Sequence, residues 1–415
     1  METLLRIFLN EIIKQGAVDI ETPHAAFRVG DGGKPACAIR FANDRAAISL
    51  MRDPEFAFGE LYMSGGIDVM QGTIYDVLAV ITRNISVATL PKWIRMLRHA
   101  RNKLRRLKQR NDLRRARSNV EHHYDIGEEL YNLFLDEDLQ YSCGYFDSSS
   151  ADLEDAQKAK RRHIAAKLLV EPNDQILDIG CGWGGLGLYL AQCCGARVTG
   201  VTLSPRQLEV ARERARKGRL IERASFRLED YRNVTGPFDR IVSIGMFEHV
   251  GVDFYDAYFV KVADLLNETG VALISTIGRL DGPGATNPWI TKHIFPGGYI
   301  PALSEIVPSV ERAGLIITDI EVLRLHYAET LAHWRARFAA RRDEAKMLYG
   351  ERFCRMWEFY LAGSECAFRF DREVVFQLQL AKKIDAIPIT RDYIGLREAE
   401  LRASESAPEA LRAAS

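Results

Sequence analysis

The chain has 415 residues, 47% hydrophobic and 27% charged, with 56 basic and 56 acidic side chains. That is room for two or three globular domains with full cores. The absence of any run of about 18 apolar residues excludes a transmembrane helix, and Met1-Glu2-Thr3-Leu4-Leu5-Arg6 reads as no secretory leader.

Residues 1–90 mix a helical start (Leu4 to Ile13), strand-like pieces such as Ala38-Ile39-Arg40-Phe41, and Gly/Asp turns, and carry no catalytic motif. Residues 91–120 form a basic stretch. Twelve Lys/Arg stand between Lys92 and Arg117 against one acid, Asp112, and Ile94, Leu97, Leu104 and Leu107 recur at helical spacing. Two readings of this helix stand side by side: a solvated linker, or a helix lying on anionic phospholipid headgroups. No zinc knuckle or other nucleic-acid motif accompanies it, so nucleic acid is not an expected partner.

Residues 121–398 alternate strands with helices, the signature of a doubly wound sheet. Strands are expected at Gln175–Ile179, Arg197–Val201, Ala224–Leu228, Arg240–Ile244 and Val271–Thr276. Helices are expected at Gly184–Gln192 and Ser204–Arg216, the second with Ser204 as N-cap and Pro205 in its first turn. Beyond Ala328 the pattern turns helical and aromatic, and residues 399–415, rich in Ala, Glu, Arg and Ser, read as a frayed tail. The seven cysteines form no C-x-x-C pair and no zinc spacing with histidine. No metal site is expected, and a scattered, odd set fits a reducing cytoplasm.

The strongest motif is Leu177-Asp178-Ile179-Gly180-Cys181-Gly182-Trp183-Gly184-Gly185, which ends a strand and opens a helix. Glycines there let the backbone turn sharply and approach a nucleotide closely. A dinucleotide site would place an acid about 20 residues on to hold the ribose. The corresponding segment, Arg197 to Leu203, has none. D-x-G-x-G after a first strand is similar instead to the S-adenosylmethionine (SAM) loop of class I methyltransferases.

Further motifs follow in order: Tyr141-Ser142-Cys143-Gly144-Tyr145-Phe146, Val201-Thr-Leu-Ser204, Gly245-Met-Phe-Glu-His-Val-Gly251, Asn287-Pro-Trp-Ile290 and His293-Ile-Phe-Pro-Gly-Gly298. With the glycine loop, this set resembles the cyclopropane-fatty-acyl-phospholipid synthase family, together with the mycolic-acid cyclopropane synthases and related lipid C-methyltransferases, over about residues 120–380. Gly59-Glu60-Leu61-Tyr62-Met63 resembles the family's smaller N-terminal α+β lipid-binding domain. The resemblance implies a Rossmann-like SAM-dependent methyltransferase domain that acts on the cis double bonds of unsaturated phospholipid acyl chains. The double bond attacks the SAM methyl group, and bound bicarbonate deprotonates the resulting carbocation to close a cyclopropane ring. It also implies a homodimer, peripheral to the inner face of the membrane.

By the same resemblance, Cys143, Glu248, Ser275, Ile277 and Tyr327 would surround the bicarbonate, Ile277 through its backbone. Tyr141 and Ser142 would approach the methionine end of SAM, and Asp178, Gly180, Gly182 and Gly184 would form its loop. Thr202, Leu203, Ser204 and Gln207 would face the ribose, with Asp230 and Tyr231 at the adenine. Two positions depart from the family pattern. Ser275 stands where the family's His-Thr-Ile-Gly motif has histidine; it can donate a hydrogen bond but cannot carry a proton at neutral pH. Ser364 stands where a cysteine often occurs, with Cys366 two residues on. The serine at 275 leaves open a methyl-branched alkene as product. A small-molecule N-methyltransferase and a SAM-binding protein without activity are the readings from other classes.

Overall fold

The computed structural model describes residues 1–87, 91–108 and 127–405. At the N-terminus, the helix Glu2–Ile12 buries Leu5, Phe8, Leu9 and Ile12, the stripe that a 3.6-residue period produces. It covers a sheet of β1 (Ala17–Glu21), β2 (Ala26–Gly30), β3 (Cys37–Phe41) and β4 (Ile67–Gln71), in the order β2-β1-β3-β4. Helices Asp44–Arg52, Pro54–Ser64 and Ile74–Val87 complete this unit. Its core joins Ile20, Ile39, Phe41 and Val77 to Ala362 and Cys366 of the helix Glu351–Phe370, so the unit is packed onto the rest of the molecule.

The basic stretch is helical over Lys92–Lys108. Arg98 is bonded to Glu55, and Arg101 pairs with Glu55 at 2.6 Å and Asp53 at 2.6 Å, fastening the helix to the N-terminal unit. Residues 109–120 lie outside the described residues.

The larger unit is built on β5 (Gln175–Ile179), β6 (Arg197–Thr202), β7 (Ala224–Leu228), β8 (Phe238–Ile244), β9 (Leu266–Arg279), β10 (Ile316–Leu323) and β11 (Glu373–Ala381). Their order is β10-β11-β9-β8-β5-β6-β7. All neighbours are parallel except β11, which runs antiparallel to β9 and β10. The expected doubly wound sheet is present, and the five expected strands fall in place. The order reverses between β5 and β8, which opens a crevice at the carboxyl ends of the central strands, where ligands bind in such sheets.

Two strands and the tail depart from expectation. After the helices His326–Ala340, Arg342–Tyr349 and Glu351–Phe370, the chain re-enters the sheet as β11, and β10 precedes them. The tail is helical through Glu405 rather than frayed from residue 399, and residues 406–415 lie outside the described residues. The helix Asp392–Glu405 buries Leu401, and Glu405 accepts hydrogen bonds from Arg162 and from the Tyr189 hydroxyl, both at 2.6 Å. No helix among the described residues is long and apolar enough to cross a membrane.

Candidate active site

The loop after β5 is shaped by its glycines. Gly180, Gly182 and Gly184 adopt φ of 82°, 53° and 81°, the left-handed region that side chains resist. A Cβ on Gly180 would also lie 2.9 Å from the Met246 side chain. The Gly180 and Cys181 amides donate to the Val201 carbonyl at 2.9 and 3.0 Å, which pins the loop over β6.

This loop borders a cavity of about 170 Å³. Of the residues expected to hold a nucleotide, Tyr141, Ser142, Asp178, Gly180, Gly182, Thr202, Leu203, Gln207, Asp230 and Tyr231 line it. Gly184 and Ser204 do not. Gly184 caps the following helix, and Ser204 caps the helix Pro205–Lys217, its side chain accepting from the Gln207 amide at 3.3 Å. Where a dinucleotide site would have an acid, the Thr202 hydroxyl donates to Gln207 Oε1 at 2.9 Å. Asp230 is held by Arg232 through bonds of 2.8 and 2.7 Å. Asp178 is buried, burial pushes its carboxyl up to about 7, and its Oδ2 has no hydrogen-bond partner among the described residues. A polar cavity floored by glycine backbone and bordered by an unsatisfied acceptor fits the nucleoside and amino-acid ends of SAM.

A second cavity, of about 790 Å³, lies against the first. The two share Tyr141, Ser142, Lys160, Ile164, Ile244, Gly245 and His249 as a common wall. The larger cavity brings together Cys143, Glu248, Ser275, Ile277 and Tyr327. Glu248 sits in the single turn Phe247–His249 beyond β8, and its Oε1 accepts from the Ile277 amide at 2.6 Å. The Ile277 amide is therefore occupied in holding the carboxyl. Glu248 Oε2 makes no hydrogen bond among the described residues. Burial pushes the Glu248 carboxyl up to about 7, against the opposing pull of the Ile277 amide and Thr276. Ser275 is buried on β9 opposite Gln377 of β11, which also lines the cavity.

Other groups in this region are held neutral. Burial pushes the Cys143 thiol up to about 12 and lowers His249 to about 4. Cys366 is buried among N-terminal core residues, its thiol near the Tyr75 carbonyl, and its pKa is likewise raised to about 12. Ser364 lines the larger cavity and Cys366 does not. Tyr141 stacks on Trp334 and shares a 2.8 Å hydrogen bond with the Tyr360 hydroxyl, while Tyr327 packs against Trp334 and Phe368. Tyr141, Phe295, Tyr327, Tyr360 and Phe368 thus give the cavity an aromatic wall.

Two features were not foreseen. The larger cavity continues into the N-terminal unit, between Phe8, Ile12, Ile20, Ile39, Phe58, Val77, Leu78 and Ile81. In addition, Lys160, from the helix Leu153–Lys167, reaches the wall between the cavities, with Nζ donating to Gln140 Oε1 at 2.7 Å and Ser142 Oγ at 2.8 Å.

Residues 111–378 match the family described as mycolic acid cyclopropane synthetase. The chain belongs to that family. It is 35% identical over 359 residues to the cyclopropane-fatty-acyl-phospholipid synthase of Escherichia coli K12, covering 86% of this chain and 90% of that one. It is 35% identical over 353 residues to the tuberculostearic acid methyltransferase UfaA1 of Mycobacterium tuberculosis, covering 82% of each. Among solved structures, the mycolic acid cyclopropane synthase CmaA1 complexed with SAH and CTAB matches with a TM-score of 0.61 and 32% identity, over 64% of this chain and 97% of that one. Coclaurine N-methyltransferase matches with a TM-score of 0.63 over 78% of this chain and 99% of that one; at 20% identity it shows the fold alone. The family member described here is a SAM-dependent methyltransferase, and the transfer is of a cyclopropane or methyl carbon to lipid acyl chains.

Proposed function

We propose that this enzyme converts cis double bonds of phospholipid acyl chains into cyclopropane rings. The observation that carries the reading is the larger cavity. It begins at Glu248 and Ser275, shares a wall with the glycine-loop cavity, and ends among apolar side chains of the N-terminal unit. An acyl chain is the kind of substrate that needs such a long apolar extension beyond its reacting carbons, and the N-terminal unit would act as the lipid-binding domain.

SAM, when bound, supplies an electrophilic methyl group on a positively charged sulfur. Gly180, Gly182, Asp178, Thr202, Gln207, Asp230 and Tyr231 would hold it, with Tyr141 and Ser142 at its methionine end. The protein's first task is then to place the alkene against the shared wall, because transfer between held partners needs alignment rather than a side-chain nucleophile. Its second is to shelter the cation that develops on the acyl chain. The faces of Tyr141, Tyr327, Phe295 and Tyr360 attract positive charge through their ring quadrupoles, and the apolar walls exclude the water that would trap it.

Bicarbonate, when bound beside Glu248, supplies the base that takes a proton from the new methyl group. The free Glu248 Oε2 fits that anion: a carboxyl raised to about 7 is partly protonated at neutral pH and can donate to it. The Ser275 hydroxyl offers one further donor. The Ile277 amide fixes the Glu248 carboxyl.

A second reading is favoured by Ser275 itself. With serine in place of histidine, a proton lost from a neighbouring carbon leaves a methyl-branched alkene. The test is mass spectrometry of lipids from a host expressing the enzyme, followed by ozone treatment. Both readings require acyl chains that gain the mass of one methylene; ring products then survive ozone and alkenes are cleaved. No gain in mass while SAM still binds sinks both.

The basic helix supports a peripheral site on an anionic membrane. Trp93, Arg95, Met96, His99 and Lys103 are exposed on it, and Met96 is 72% exposed, which combines apolar insertion with cationic attraction. A homodimer would set two such helices on one bilayer.

A further inference from the structure

Lys160 presents an unresolved charge. Its side chain is 3% exposed, so it is cut off from the water that would otherwise stabilise an ammonium. Its two hydrogen bonds go to neutral oxygens, Gln140 Oε1 and Ser142 Oγ. No carboxylate among the described residues lies within ion-pair distance of it, although an ammonium has a third N–H to give. Burial lowers its pKa only to about 8, so the cation persists at neutral pH. The buried Asp136 carboxyl attracts it only from beyond ion-pair distance, and a buried cation compensated in that partial way is stabilised when a ligand brings an anion into contact.

The position of Lys160 says which anion. The sulfur that gives up a methyl group must face the acyl cavity, so it sits at the wall that the two cavities share. Thr202, Leu203, Asp230 and Tyr231 line only the smaller cavity, away from that wall, and suit the adenosine end. The amino-acid end, with its carboxylate, therefore falls near the wall, where Lys160 stands. Gln140, one of the two groups that hold Lys160, lines the smaller cavity and not the larger one, so the ammonium is anchored from the cofactor side.

We propose that Lys160 is the counter-charge for the SAM carboxylate and fixes the methionine end of the donor against the acyl cavity. The inference rests on reading the smaller cavity as the SAM site. It is tested on the full chain by calorimetric titration with SAM and with decarboxylated SAM, for the wild type, Lys160→Met and Lys160→Arg. The wild type prefers SAM over the decarboxylated form by about 30-fold or more, the scale of a lost buried charge partner. Lys160→Met loses that preference and binds decarboxylated SAM at least as well as the wild type does, which also shows that the variant is folded; Lys160→Arg keeps part of the preference.

An undiminished preference in Lys160→Met overturns the inference while leaving the SAM site intact. Loss of both ligands from Lys160→Met assigns the lysine to structure and also overturns it. If the preference stays but turnover no longer responds to added bicarbonate, the anion belongs to the acyl cavity and the inference fails. A wild type that binds neither ligand removes the SAM reading itself.

Discussion

Replacing Glu248 by Gln separates the chemistry of the site from its stability, because the two should move in opposite directions. In the folded protein the carboxyl is raised from 4.5 to about 7, chiefly by burial. The unfolded chain releases this proton above pH 4.5 and the folded chain holds it until about pH 7. Stability therefore falls as pH rises through that window, and the full cost, about 3 kcal/mol, is present above it. Glutamine removes that cost. Its oxygen can still accept from the Ile277 amide, and the value of about 7 already includes the pull of that amide on the ionised carboxyl, so the substitution brings no separate loss. The variant should thus gain about 3 kcal/mol at pH 8 and almost nothing at pH 4.5. Denaturant titration at the two pH values reads this difference. Product formation, measured on extracted lipids, should fall by roughly 100-fold or more, the usual weight of a positioned acid–base group, with SAM affinity retained. Unchanged turnover would overturn the role given to Glu248. An equal stability change at both pH values would refute the burial argument.

Gly180→Ala forces a side chain into the left-handed region and against Met246; about 1–2 kcal/mol of strain should weaken SAM binding roughly tenfold, read by calorimetry. Gly363→Phe, at the junction where Gly363 faces Leu78, should obstruct the passage into the N-terminal unit. Turnover of long acyl chains should fall about tenfold while SAM binding is unchanged, an overpacking cost of ~1–3 kcal/mol. Ser275→Ala should leave total carbon transfer within about threefold, less than 1 kcal/mol, and raise the ozone-sensitive fraction of product; an unaltered product ratio would remove Ser275 from the ring-closing step.

The cofactor half of the site was legible because it is local. Asp178 to Gly185, Ser204 and Pro205 announce a strand, a tight loop and a capped helix through their own backbone preferences, and β5 and β7 fall where their residues predicted. The acyl half was legible only in part. β11, Glu-Val-Val-Phe-Gln-Leu-Gln-Leu-Ala, is buried almost throughout, with Gln377 and Gln379 paired inside the protein. The alternation of Gln377 and Gln379 with Phe376, Leu378 and Leu380 is a strand signal, but it spans only five residues and directly follows a long helix rich in aromatics. Lys160 sits in Gln157-Lys-Ala-Lys-Arg-Arg162, a run that reads as an exposed basic face. Only the fold reveals that Lys160 points inward while Lys158 does not line either cavity. The N-terminal chamber had no local signal beyond the segment Gly59 to Met63. Its apolar lining residues come from five helices and a sheet, and each one alone reads as an ordinary core position.

The serine at 275 acquires its meaning from that geometry. Methyl transfer depends on the wall between the cavities, on Tyr141, Ser142 and their neighbours, and none of those is altered. In the mechanism proposed, ring closure depends on where a proton is removed afterwards, and so on how firmly an anion is held beside Glu248. With the Ile277 amide already committed to the Glu248 carboxyl, the donors at hand for the anion include Glu248 Oε2 when protonated and the hydroxyls of Ser275 and Tyr327. Raising pH above about 7 ionises Glu248 and turns one of those donors into a like charge. The ring-to-alkene ratio should therefore fall with rising pH in this enzyme, even where the total amount of carbon transferred does not.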